Sequence, residues 1–222
     1  MQYEISFKTD FRCNPYKGKF IVIEGVDGSG KTTQALNLVN RLKGLGHKVV
    51  YTKEPTDEST GQFIRENVLS GKVKIPNIAI QYLIAADRAV HHEKIENYLK
   101  EGYTVVSDRY FWSAVAYGLG DKGSDFDKNG QLLLASLSIL SMYHRFIIPD
   151  LTFYLQVLVD TAIQRIQHKK ARIEIYEKRE KLDKIARGYE WLVKEFPKEF
   201  VVIDGERGVE EVGEEIVSRL SA

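Results

Sequence analysis

The stretch FIVIEGVDGSGKTT (residues 20–33) reads as a strand, a glycine-rich turn and a helix start in direct succession. Phe20–Glu24 is a short apolar run, as expected for a strand covered on both faces. Gly25–Thr32, GVDGSGKT, fits G-x-x-x-x-G-K-[ST], a pattern that cradles phosphate groups. The residue types have physical reasons. Gly25, Gly28 and Gly30 let the backbone wrap with its N–H groups pointing inward. A helix beginning near Lys31 offers its positive end to an anion, and the Lys31 ammonium adds a point charge. The Thr32 hydroxyl suits a magnesium ion bridging the terminal phosphates. The dinucleotide fingerprint G-x-G-x-x-G fails, because the sixth position counted from Gly28 is Thr33.

Outward from this stretch the same alternation continues. Strands are expected at Phe20–Glu24, Lys48–Thr52, Thr104–Ser107, Leu151–Val157 and Phe200–Ile203. Helices are expected at Lys31–Leu45, Thr60–Leu69, Asn77–Lys100, Phe111–Tyr117, Gly130–Phe146, Asp160–Lys169, Ile173–Glu195 and Val209–Leu220. Gly46, Gly71 and Gly102 follow three of them as stop signals. Strand and helix in turn over the whole length predict a three-layer α/β fold, a parallel sheet with helices on both faces. Residues 1–18 read as an N-terminal extension and residues 19–222 as a single domain.

The 222 residues carry 32 Lys plus Arg against 31 Asp plus Glu, so no basic excess points to a DNA or RNA partner. No apolar run is long enough to span a membrane, and residues 1–19 are too charged for a secretory signal. A lone cysteine, Cys13, fits a reducing compartment, and the expected location is cytoplasmic. Charge is uneven along the chain: Arg165–Arg187 is basic, and the residues after Glu199 are acidic.

A phosphate loop alone is shared by switch GTPases, motor ATPases and small-molecule kinases. The guanine-reading sequence N-K-x-D is absent. Asp108 ends the run TVVS, where an acid suits magnesium, and Arg109 follows, where a guanidinium suits a second anion. That pairing favours phosphoryl transfer between two phosphorylated molecules.

The loop with its flanks, TKEPT at Thr52–Thr56, AADR at Ala85–Arg88 and DRYFWSAVAY at Asp108–Tyr117 together resemble thymidylate kinase, in its archaeal-like branch. The resemblance implies a P-loop NTPase fold with a five-stranded parallel sheet of order 2-3-1-4-5, a mobile lid and a homodimer. It implies transfer of the γ-phosphate of ATP to dTMP with Mg²⁺, forming dTDP. ATP would be bound by Gly25, Val26, Asp27, Gly28, Ser29, Gly30, Lys31, Thr32 and Thr33, and magnesium by Thr32 and Asp108. Asp27 matches the carboxylate that binds the 3′-hydroxyl of deoxyribose, and Arg109 the arginine that holds the acceptor phosphate. Arg88 matches the arginine reaching the thymine carbonyl; a salt bridge to Asp87 or Glu93 is the alternative. Tyr117 matches the aromatic under the sugar, and Glu54, Pro55 and Arg65 match residues lining the acceptor site.

Three positions depart from the family pattern. Gln156, in the segment YLQV, stands where many relatives carry Asp, and nothing in the sequence explains it. Ile84 stands where relatives often stack a Phe on thymine, with Tyr82 two residues earlier. Ala114 stands where many relatives carry Asn or Gln near the base. Both suggest looser base recognition, and a broad deoxynucleoside monophosphate kinase that also accepts dUMP is the alternative reading. A nucleotide-dependent switch is a third. The phosphate loop lacks an arginine, so the resemblance implies a cationic lid at about residues 165–175, with Lys31, Arg109, Arg165 and Arg172 as catalytic cations. His91 and His92 point about 100° apart on a helix and read as non-catalytic. The Asn77–Lys100 and Gly130–Phe146 helices are expected to contribute to a dimer face; the second is otherwise deep core.

Overall fold

Five apolar runs form five parallel strands: β1 (Phe20–Glu24), β2 (Val49–Lys53), β3 (Thr104–Asp108), β4 (Leu151–Gln156) and β5 (Val201–Asp204). The computed structural model describes residues 10–120, 131–169 and 175–220. The sheet order is β2-β3-β1-β4-β5. Outside β1, one or both ends of each strand move by a residue from the apolar run because register sets them. Val49–Lys53 aligns residue for residue with Thr104–Asp108, so β2 reaches Lys53.

Side chains alternate across the sheet. Phe20 and Val22 enter one core and Ile21 and Ile23 the other. Helices α1 (Lys31–Gly44) and α8 (Val209–Ser218) close the second core through Leu38, Val39, Val212 and Ile216. The first core is larger. It takes α3 (Asn77–Lys100), α4 (Phe111–Gly120), α5 (Gln131–Leu140), α6 (Val159–Lys169) and α7 (Ile175–Glu195). Its centre is aromatic: Phe111 and Trp112 are fully buried, and Tyr154 stacks on Tyr189 at 5.0 Å between ring centres. Each such side chain contributes about 2–3 kcal/mol through burial.

The helix expected at Thr60–Leu69 divides into α2 (Ser59–Phe63) and a wider π-turn, Ile64–Leu69. Gly61 lies against the Thr56 backbone, where a Cβ would come within 2.1 Å of the carbonyl oxygen. The Gly130–Phe146 helix is regular only to Leu140 and ends in a 3₁₀ turn, Ser141–Tyr143. Ala135, Ile139 and Leu140 are buried in the monomer, so this part of α5 is core. Residues 10–18 are pinned to the fold: Phe11 stacks with Phe111 at 6.2 Å, and Arg12 bridges to Ile147. Among the described residues, no helix is long and apolar enough to cross a membrane.

Candidate active site

In the sheet order β1 lies between β3 and β4, and the chain leaves it as the phosphate loop. A crevice beyond the strand carboxyl ends, where the order reverses, is where open parallel sheets bind ligands. Gly28, at φ 85°, touches α6: a Cβ there would come within 2.3 Å of the Ala162 carbonyl oxygen. No larger residue, an arginine included, fits at position 28. Gly30, at φ 99°, is the N-cap of α1 and turns the chain into the helix. Lys31 is buried and donates from Nζ to the Val26 carbonyl at 2.7 Å. Burial, then the Arg109 charge, lower its pKa to about 8.

Thr32 donates its hydroxyl to Oδ2 of Asp108 across the β1–β3 crevice. Oδ1 of Asp108 is buried and has no partner among the described residues. A free carboxylate oxygen beside a hydroxyl fits a hard divalent cation that takes its remaining ligands from phosphate and water. Among the described residues no cluster of three His, Cys, Asp or Glu could hold a metal by itself.

Arg109 has φ 77°, a left-handed conformation rare outside glycine. The Arg109 N–H donates to the Ile23 carbonyl at 3.0 Å, and its carbonyl accepts from the Ser107 hydroxyl at 2.7 Å. This kink turns the side chain back towards the phosphate loop. Nη2 donates to Asp27 and, at 3.1 Å, to the Tyr117 hydroxyl; Nη1 donates to Ser113 at 3.2 Å and to the Gly25 carbonyl at 3.4 Å. Tyr117 in turn donates to Asp27 at 3.1 Å. Burial pushes the Asp27 carboxyl up, but the charges of Arg109 and Lys31 outweigh it and hold it at about 2.

Beneath this triad lies Glu24, which the sequence reading left inside the strand. It is fully buried and accepts from the N–H groups of Tyr110 at 2.9 Å and Ser113 at 3.2 Å. It also accepts from the hydroxyls of Ser113 at 2.5 Å and Tyr189 at 2.8 Å. Burial raises its pKa. The available signal was an acid closing an otherwise apolar strand, which demands buried partners.

Just past the end of β2, the Glu54–Pro55 peptide is cis. Glu54 accepts from Arg88 Nε at 2.6 Å and from His91 Nδ1 at 2.8 Å, and all three residues are buried. Thus Arg88 pairs with Glu54 and not with Asp87 or Glu93, the sequence alternative. Asp87 instead accepts from Thr56 and Thr60. Burial pushes the Glu54 carboxyl up, but the Arg88 charge outweighs it and holds the pKa low. Arg88 Nη2 donates to the Tyr110 carbonyl at 3.1 Å, its guanidinium lies 4.7 Å from the Tyr143 ring centre, and Nη1 has no partner among the described residues. Ile84 is half-buried one turn before Arg88; Tyr82 is 61% exposed and turned away, so it offers no substitute ring. His91 and His92 hold hydrogen bonds within the fold, His91 to Glu54 and Thr52, His92 to Tyr110 and Glu96.

Arg65 is not drawn into the Arg109 cluster in its described contacts. It donates to the Pro55 and Thr56 carbonyls and pairs with Asp57 at 2.9 Å, since the π-turn aims it along the loop. Arg165, on α6, donates to the Gly205 carbonyl at 2.9 Å and to the Ser29 carbonyl of the phosphate loop at 3.4 Å. Arg172 and much of the expected lid lie outside the described residues.

A sequence model of thymidylate kinase matches residues 23–216. The chain belongs to the thymidylate kinase family. The probable thymidylate kinase of Thermococcus onnurineus is 38% identical over 208 residues, covering 90% of this chain and 95% of that one. That of Methanocaldococcus jannaschii is 37% identical over 202 residues, with 90% and 95% covered. The solved structure of Candida albicans thymidylate kinase superposes with a TM-score of 0.76 at 25% identity, covering 92% of each chain. The sheet, the phosphate loop and the strand-end Asp108–Arg109 pair described above thus stand in a chain of a kinase family.

Proposed function

We propose that this enzyme transfers the γ-phosphate of ATP to dTMP, forming dTDP and ADP. The observation that carries the reading is the Asp27–Arg109–Tyr117 contact, which joins the phosphate loop to an arginine on the acceptor side. A nucleotide switch has no use for a second anion site opposite its loop.

The loop N–H groups and Lys31 would hold the β- and γ-phosphates of ATP. The Arg109 fork would take the dTMP phosphate, leaving Asp27 to accept the 3′-hydroxyl and Tyr117 to lie under the sugar. Glu24, through Ser113 and Tyr110, fixes the turn that aims Arg109. Thr32 and Asp108 would hold Mg²⁺, which neutralises charge on the donor phosphates. A phosphate monoester is already an anion, so no general base is required; positioning and charge stabilisation carry the reaction. Because Gly28 cannot be an arginine, the extra cation comes from α6 and the segment after it, with Arg165 and Arg172 as the candidates. These belong to a lid at about residues 165–175 of a single kinase domain.

Broader acceptance, with dUMP beside dTMP, is favoured by one pair of observations: Ile84 offers no ring to stack and Ala114 no polar group to the base. A steady-state comparison of the two acceptors separates these readings; a hundredfold preference for dTMP would exclude the broader one. We also propose a homodimer through α2 and α3. Phe63, Ile78, Tyr82 and Val90 are 45%, 59%, 61% and 45% exposed, and large apolar side chains left to solvent on these two helices suit burial against a second copy. A monomeric mass by light scattering at micromolar concentration would refute it.

The activity is tested by following ADP release with ATP, Mg²⁺ and dTMP, beside Arg109→Ala. Acceptor-dependent release that collapses in the variant is expected. Release that ignores dTMP would overturn the reading.

A further inference from the structure

Gln81 precedes Ile84 by three residues and Arg88 by seven on α3, so the three share one face of the helix. It is 7% exposed, an unusual place for an amide. Its Nε2 donates to the Ala114 carbonyl on α4 at 3.2 Å. A carbonyl can only accept, so the amide orientation is fixed and Oε1 is the end left over. Oε1 is buried with no partner among the described residues. Two small residues of α4 make the seat. Ala114 carries only a methyl group, and a Cβ at Gly118 would come within 3.1 Å of Nε2.

A buried acceptor without a partner is costly, so one that lies on the face of α3 shared with Ile84 and Arg88 calls for an explanation. Arg88 Nη1, on the same helix face, is a buried donor in the same condition. A buried donor and a buried acceptor on one helix face match in kind an imide edge, a C=O next to a ring N–H. Thymine and uracil present that edge. Cytosine does not: its N3 bears no hydrogen, and an amino group replaces the neighbouring oxygen.

We propose that Gln81 is a specificity-determining residue whose Oε1 accepts the N3–H of the acceptor base. It supplies from α3 the polar contact that Ala114 cannot make from α4. This rests on the dTMP reading above and deepens it: the looser recognition suggested by Ala114 is restored by a different helix. The methyl group of thymine is not read by this contact, so dTMP and dUMP gain from it equally.

The test is kcat/KM for dTMP, dUMP and N3-methyl-dTMP in the wild type, Gln81→Met and Gln81→Asn. Methionine keeps the length without a hydrogen-bond acceptor of comparable strength, and asparagine keeps the amide but falls short. The wild type is expected to prefer dTMP over N3-methyl-dTMP by roughly 10- to 100-fold. Both variants should lower that ratio towards one, with dUMP falling in parallel with dTMP and the KM for ATP unchanged. A residue that merely anchors α3 to α4 would instead lower the thermal midpoint and slow all acceptors alike. An unchanged ratio in either folded variant, or a wild type that accepts N3-methyl-dTMP as well as dTMP, overturns the Gln81 assignment while dTMP turnover stands. A wild type without any dTMP-dependent ADP release overturns the functional reading and this one with it.

Discussion

Binding of ATP should draw a proton onto the enzyme, and the amount should depend on pH in a way Lys31 dictates. Lys31 is buried among the loop atoms, and burial together with the Arg109 charge lowers its pKa to about 8 from an ordinary 10.5. Between those values the unfolded chain binds more protons at this site than the folded one. Stability contributed by the group therefore rises with pH across roughly 8 to 10.5. At neutral pH, holding the ammonium among the buried loop atoms costs the fold about 3 kcal/mol. A triphosphate opposite the ammonium removes that cost and returns the pKa towards 10.5. Proton uptake per ATP bound should then be about 0.1 at pH 7, about 0.5 at pH 8 and about 0.9 at pH 9. Calorimetric titration of ATP in two buffers of different ionisation enthalpy measures it directly. Lys31→Arg, whose guanidinium stays charged, should show almost none. Equal uptake in Lys31→Arg, or uptake that is flat from pH 7 to 9, would refute the reasoning.

Glu54→Gln should destabilise the fold by about 3–5 kcal/mol, because the buried Arg88 loses its counter-charge. Glu54 has a depressed pKa, so its contribution is present above about 4.5 and is lost as pH falls through the folded value. The gap between wild type and variant in urea unfolding should therefore narrow on acidification. Gly28→Ala should cost more than about 3 kcal/mol and abolish ATP binding, since the new Cβ meets the Ala162 carbonyl at a φ that disfavours it; equilibrium unfolding and nucleotide titration check both. Phe11→Ala should lower stability by about 3 kcal/mol, by removing a ring that stacks on Phe111 and meets Trp112 edge-on. Unchanged denaturant midpoints would show that the N-terminal segment adds nothing to the core.

Much of this protein could be read before its structure. The strands were legible because sheets covered on both faces demand continuous apolar runs, and β1 and α3 were placed to the residue. The phosphate loop was legible because its chemistry is local: one short segment supplies the strand end, the turn and the helix start. The gathering of Asp27, Arg109 and Tyr117 followed from matching motifs, and the described contacts bring these three together. The π-turn at Ile64–Leu69 escaped periodicity, because six residues at 3.6 or wider per turn leave the same apolar pattern.

What the sequence by itself determined is whatever depends on neighbours along the chain: the alternation of strand and helix, the anion-binding loop and the residue types fit for phosphate. What only the tertiary structure decided is which distant groups share a charge or a hydrogen bond. Glu24 meets Tyr189 from the far end of the chain, Arg88 finds Glu54 where sequence proximity offered Asp87, and Gln81 is brought against Ala114. Hydrophobic patterning fixes which face of each element is buried. The partner of a buried polar group is fixed only when helices pack, since the cost of leaving it unpaired selects among contacts that no local pattern records.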